Sequence, residues 1–142
     1  MAKVLVVEDN PANMTLATFL LESVGHTVLK ATDAEAGVAL ACAEQPDLIL
    51  MDIQLPGMDG LRATGLLKGD AATRDIPVIA LTALAMKGDE ERIREAGCDG
   101  YIAKPLSYKD FLATISSELA KKETAPKEDN RRVTEVVTER RA

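Results

Sequence analysis

Five polar residues stand directly behind, or at the end of, short apolar runs: Glu8 and Asp9 after KVLVV, Asp52 after DLILM, Thr82 after IPVIAL and Lys104 after GYIA, with Pro105 following the lysine. Three carboxylates held close together repel one another, and at least one takes up a proton unless a cation joins them. Oxygen-only ligands favour a hard metal, and a few carboxylates with room left for water and phosphate suit Mg²⁺ better than a full Ca²⁺ cage. With the cation in place Asp52 stays ionised and can attack phosphorus as a nucleophile. Phosphoryl transfer asks for positioning and charge neutralisation more than covalent help. Mg²⁺, the Lys104 amine and the Thr82 hydroxyl supply one partner for each phosphoryl oxygen.

Taken singly, each residue also has a structural reading. Lys104 could neutralise an acidic rim, Thr82 could cap the next helix, and Glu8 and Asp9 could favour a helix macrodipole. Asp52 is harder to dismiss, because a charge directly after DLILM is costly to bury without a partner. The joint placement of all of them behind apolar runs is what points to a site.

The elements that must position these residues follow from patterning. Lys3–Val7 reads as a buried strand. Asn10-Pro11 opens a helix, with Asn at the N-cap and Pro in the first turn; Leu16, Leu20 and Val24 repeat along it and Gly25 stops it. Thr27–Ala31 is a second strand. Asp33 caps a helix over Ala34–Glu44, with Ala36, Ala39, Leu40 and Ala43 on one face, and Pro46 ends it. Strands are expected at Asp47–Met51, Ile76–Leu81 and Gly100–Ala103. Helices are expected at Leu61–Lys68, at Met86–Ala96 stopped by Gly97, and after Ser107, where Phe111, Ile115 and Leu119 fall at four-residue steps. Continuous apolar strands mean burial on both faces, hence a parallel sheet covered by helices. Right-handed crossovers make it doubly wound, and sites in such sheets lie beyond the carboxyl ends of the strands. All five polar residues fall there.

Composition sets the limits. The chain has 142 residues, 46% hydrophobic but only 3% aromatic, so one aliphatic core is expected. The net charge of -6 argues against nucleic-acid binding. No apolar run approaches the eighteen or so residues of a membrane span, and the first ten residues lack a signal-peptide layout. Cys42 and Cys98 stand apart without metal-ligand spacing and read as reduced thiols of a cytoplasmic protein. The charge is uneven: residues 1–120 carry 10 basic and 18 acidic side chains, whereas residues 121–142 carry 7 and 5. The expected organisation is therefore a domain over 1–121 and a polar tail over 122–142. The tail's Val133, Val136 and Val137, flanked by arginines, suggest a basic arm that docks on this domain or on a second copy, supporting a homodimer or partner binding.

VLVVEDN, PDLILMDIQLPGMDG, PVIALTA and GCDGYIAKPLS, spread over about residues 2–120, resemble the receiver domains of two-component response regulators. ALAMKGDEERIREAGCDGYIAKPLS most resembles the single-domain, DivK-like kind. The resemblance implies a flavodoxin-like α/β fold with strand order 2-1-3-4-5 and five flanking helices. It implies Asp52 as phosphoacceptor, Asp9 as a direct Mg²⁺ ligand with Glu8 beside it, and the backbone carbonyl of Gln54 as a further ligand. Thr82 and Lys104 would contact the phosphoryl oxygens, Tyr101 would move with Thr82, and the Lys104–Pro105 bond would be cis. The implied partners are a sensor histidine kinase or a histidine phosphotransferase and a downstream protein target. Output would use the surface of the fourth helix, fifth strand and fifth helix, including Lys87, Glu91, Arg94, Tyr101 and Asp110. The implied function is that of a stand-alone response regulator, not a conventional enzyme, that catalyses its own Mg²⁺-dependent phosphorylation and dephosphorylation. A phosphorelay shuttle is the alternative.

Rival readings fit less well. A phosphatase of the haloacid-dehalogenase type typically carries a second Asp two places after its nucleophile, where this chain has Gln54. A flavodoxin-like FMN binder needs a phosphate-cradling loop after the first strand, where Glu8 and Asp9 would repel phosphate. A receiver that never accepts phosphate would not need the intact set of acids, threonine and lysine.

Overall fold

The computed structural model describes residues 2–83 and 87–124, the side chains of 87–89 and 122–124 excepted. Strands and helices alternate in the order β1 (Lys3–Val7), α1 (Pro11–Ser23), β2 (Thr27–Ala31), α2 (Ala34–Glu44), β3 (Leu48–Asp52), α3 (Gly60–Gly69), β4 (Val78–Thr82), α4 (Lys87–Glu95), β5 (Gly100–Ala103) and α5 (Tyr108–Thr124). The sheet runs β2-β1-β3-β4-β5, with every neighbouring pair parallel. It is the doubly wound, flavodoxin-like order expected from the sequence.

Strand alternation divides the core in two. Leu5, Val7, Ile49, Met51, Val78 and Ala80 face Ala41 of α2, Ala63 and Leu67 of α3 and Ile93 of α4. Val4, Val6, Leu48, Leu50, Ile79 and Leu81 face Ala17, Leu20 and Leu21 of α1 and Phe111 and Ile115 of α5. β3 and β4 are buried along their whole length, whereas β2, at the sheet edge, is buried only at Ala31.

Helix starts follow the capping residues. Asn10 accepts the Asn13 N–H at 3.1 Å, Asp33 that of Ala36 at 2.7 Å and Asp59 that of Arg62 at 2.8 Å. Each satisfies an amide the helix itself cannot.

Two helical faces differ from expectation. On α1 the buried stripe is Met14, Ala17, Thr18, Leu20 and Leu21, while Leu16 and Val24 are 38% and 42% exposed. Adjacent leucines at 20 and 21 allow two stripes of helical period, and contact with β1 and β2 selects the one through 14, 17 and 21. On α2 the buried residues are Ala34, Gly37 and Ala41; Ala36, Ala39 and Ala43 are exposed and Leu40 is half-buried. An alanine-rich helix offers little contrast between its faces. Gly37 decides its orientation, since a Cβ there would lie 2.7 Å from Val7 Cγ2.

Two strands end later than expected: β3 includes Asp52 and β4 includes Thr82. Both residues belong to the hydrogen-bonded ladder, with Asp52 opposite Leu81 and Thr82 opposite Ala103. α5 continues to Thr124, past the expected boundary at 121. The tail beyond it, the helical start at Met86 and the Lys87 side chain lie outside the described residues.

Candidate functional site

Because all five strands run the same way, their carboxyl ends share one edge, and the polar residues behind the apolar runs meet there. Glu8, Asp9 and Asp52 each present a carboxylate oxygen within 4.8 Å of the others. Lys104 Nζ lies 2.8 Å from Glu8 Oε1 and 3.1 Å from Asp52 Oδ2. The Gln54 N–H donates to Asp52 Oδ1 at 3.0 Å, and the Asn10 N–H donates to Glu8 Oε2 at 3.2 Å. Asp52 and Glu8 are 2% and 1% exposed, whereas Asp9 is open to solvent. The Asp52 carboxylate is thus fixed through both oxygens on a rigid strand end, and Asp9 opens the cluster to solvent.

Burial pushes the Glu8 carboxyl up from its ordinary range, the neighbouring Asp52 pushes it further, and Lys104 offsets part of this. Burial works against the Lys104 ammonium, but its contacts with Glu8 and Asp52 outweigh that and hold it above the usual lysine value. Three carboxylates face one ammonium, so the fully ionised cluster carries two surplus negative charges. Glu8 Oε1 is buried and sits at ion-pair distance from Lys104 without an aligned hydrogen bond. An all-oxygen donor set with surplus negative charge and an open side fits a hard divalent cation.

Thr82 is buried at the end of β4, and its carbonyl accepts the Lys104 N–H at 2.8 Å. Tyr101 pairs in register with Ala80, as Ala103 does with Thr82. By alternation Thr82, Ala80 and Tyr101 therefore lie on one face of the sheet, where Ala80 and Tyr101 pack with Ile93 of α4. Tyr101 is not among the acids; its hydroxyl donates to Glu90 Oε1 of α4 at 2.6 Å. The Lys104–Pro105 bond is cis.

Two residues of this region escape a reading of the sequence. Glu90 looks like one more solvent charge on a charged helix. Gly60 looks like part of a loop, yet a Cβ on it would lie 2.1 Å from the Asp52 carbonyl oxygen and 2.7 Å from Ile53 Cα. Its signal was the PGMDG turn after β3, which places the start of α3 against the backbone of Asp52.

Fold and site together define a doubly wound α/β domain with an acid pocket, a lysine and a buried threonine at the carboxyl edge of its sheet. Residues 4–116 match the family model of the response regulator receiver domain, and the chain belongs to that family. It is 52% identical over 116 residues to the polar-differentiation response regulator DivK of Brucella anthropi, covering 82% of this chain and 94% of that protein. Among solved structures it is similar to the receiver domain of a sensor histidine kinase from Pseudomonas aeruginosa PAO1. That match has 36% identity and a TM-score of 0.79, over 84% of this chain and 98% of that one, and the Pseudomonas structure has a magnesium ion coordinated in its active-site cleft. It is also similar to a chemotaxis response regulator of Vibrio cholerae, with 25% identity and a TM-score of 0.79 over 82% and 98% of the two chains. The protein is accordingly a response regulator of two-component signalling and not a conventional enzyme. Among the described residues no helix is long and apolar enough to cross a membrane.

Proposed function

We propose that Asp52 accepts a phosphoryl group from a sensor histidine kinase or histidine phosphotransferase, and that the modified domain switches its binding to a downstream protein. The observation that carries this reading is the Asp52 carboxylate, held by the Gln54 N–H on one oxygen and Lys104 on the other at the solvent-reached edge of an acid cluster. In the transfer a carboxylate oxygen of Asp52 forms a bond to phosphorus, and the bond from phosphorus to the donor nitrogen breaks. The donor imidazole keeps that electron pair, and Asp52 becomes an acyl phosphate. Lys104 then neutralises charge on the phosphoryl oxygens, and the Thr82 hydroxyl, at the neighbouring strand end, turns towards them.

Glu8, Asp9 and Asp52, with the Gln54 carbonyl, would hold Mg²⁺, which supplies charge neutralisation to the acids and the incoming phosphoryl. The magnesium in the Pseudomonas receiver supports that choice. Self-catalysed phosphorylation and dephosphorylation and a cytoplasmic location belong to the same reading. So does the organisation as a receiver domain over 1–121 with a polar tail over 122–142. The match spans 94% of the DivK relative, a polar-differentiation response regulator that has little besides a receiver, which supports action as a stand-alone regulator.

The test is labelling by acetyl phosphate. The wild type is expected to take up one phosphoryl group in Mg²⁺ and none in chelator, while Asp52→Asn folds but stays unlabelled. Undiminished labelling of Asp52→Asn overturns the assignment.

A further inference from the structure

The Tyr101 hydroxyl has one proton to donate, and it gives it to a carboxylate at 2.6 Å, across from β5 to α4. A hydrogen bond to an ionised acceptor is short and about twice as strong as a neutral one. Tyr101 and Thr82 share a face of the sheet, and the residue paired with Tyr101 in the neighbouring strand is alanine. Ala80 is small and packs in the same cluster as Tyr101 and Ile93 of α4. In this structure Asp52 is an unmodified carboxylate paired with Lys104, and the Tyr101–Glu90 bond accompanies that pairing.

We propose that Glu90 is a positioning residue: it holds Tyr101 in its unphosphorylated place and couples the ring to α4, so that losing its carboxylate releases the switch. The inference rests on the phosphoryl-switch reading above. Any move of Tyr101 towards Thr82 must break or drag this bond, so the bond opposes the phosphorylated arrangement and conveys ring movement to a helix. Arg94, one helical turn beyond Glu90, adds a nearby positive charge that works against the rise in the Tyr101 pKa.

The experiment measures affinity of the full chain for beryllofluoride, a phosphoryl analogue, in Mg²⁺. The environment of Tyr101 is followed by fluorine resonance of 3-fluorotyrosine, assigned through Tyr101→Phe because the chain has only 2 tyrosines. Glu90→Ala and Tyr101→Phe are each expected to tighten beryllofluoride binding by about threefold to tenfold, the net worth of one ordinary hydrogen bond, since the pair is only partly buried. The double variant is expected to match the single ones, because both remove the same bond. Glu90→Gln, whose amide oxygen still accepts but carries no charge, should fall between the wild type and Glu90→Ala in affinity, and Arg94→Gln should not mimic Glu90→Ala. An unchanged affinity in Glu90→Ala, multiplied effects in the double variant, or Glu90→Gln equal to Glu90→Ala overturns the positioning role while leaving the phosphoryl reading intact. A wild type that neither binds beryllofluoride nor accepts acetyl phosphate overturns both.

Discussion

At the scale of single residues, Lys104 is the hinge of the electrostatics. It is the cation that the structure places against Glu8 and Asp52, both nearly inaccessible to water. Removing one partner of a buried ionic group leaves uncompensated charge, which costs more than the pair contributes. Lys104→Met is expected to destabilise the metal-free protein by roughly 2–4 kcal/mol, at or just below the usual range because Asp9 leaves the cluster open to water. Chemical denaturation with and without Mg²⁺ checks this: the cation should restore part of the loss, and an unchanged midpoint in chelator would show that Lys104 does not balance these acids. Glu8 and Asp52 together gain from any cation in the pocket, so Mg²⁺ is expected to raise the wild-type midpoint as well.

At the scale of elements, the site depends on how closely α3 approaches β3. Gly60 sits where any side chain would collide with the Asp52 backbone. Gly60→Ala must therefore shift either the helix start or the strand end, at a cost of about 1–3 kcal/mol typical of overpacking. It is expected to slow acetyl-phosphate labelling more than an alanine at the open Gly65 position does, since nothing lies within 4 Å of a Cβ there. Equal labelling rates in the two variants would separate the α3 contact from the geometry of Asp52.

The contact between α4 and β5 has its own signature in pH. The hydrogen bond to Glu90 raises Tyr101 above its reference value of 10.0, with burial and the charge of Glu90 adding to the rise. A raised folded-state value means that the folded protein holds the phenol proton more tightly than the unfolded chain. The associated stabilisation is complete below pH 10 and is lost as pH rises through the folded-state value. Tyrosinate absorbance is expected to show a late component that disappears in Tyr101→Phe and moves to lower pH in Glu90→Gln. A late component unmoved by Glu90→Gln would mean that the rise has another source.

At the scale of the whole molecule, both core clusters close within the receiver: the last members are Ile115 and the half-buried Leu119, among the described residues. A chain truncated after Thr124 is therefore expected to keep its thermal midpoint and its acetyl-phosphate labelling. The truncated segment carries Val133, Val136, Val137 and four arginines against a net-acidic domain. If it docks on a second copy, the truncation lowers the solution mass; an unchanged mass, phosphotransfer rate and partner affinity removes it from the function.

Most of the architecture was legible in the sequence because burial on both faces writes continuous apolar runs into strands, and capping residues write themselves before helices. Asp33 and Asn10 marked helix starts that the backbone amides require, and Glu8, Asp9, Asp52, Thr82 and Lys104 marked strand ends that a parallel sheet must bring to one edge. The orientation of α1 and α2 was not legible. Alternative stripes of similar hydrophobicity exist on both helices, and only the shape of the sheet surface, down to the space beside Val7 at Gly37, selects between them. Nor could the sequence show that Lys104 spans Glu8 and Asp52, that Gly60 presses on the Asp52 backbone, or that Glu90 takes the Tyr101 proton. Those contacts join residues 8 to 96 positions apart in the chain, and a distance of a few ångströms between them exists only once the elements are packed together.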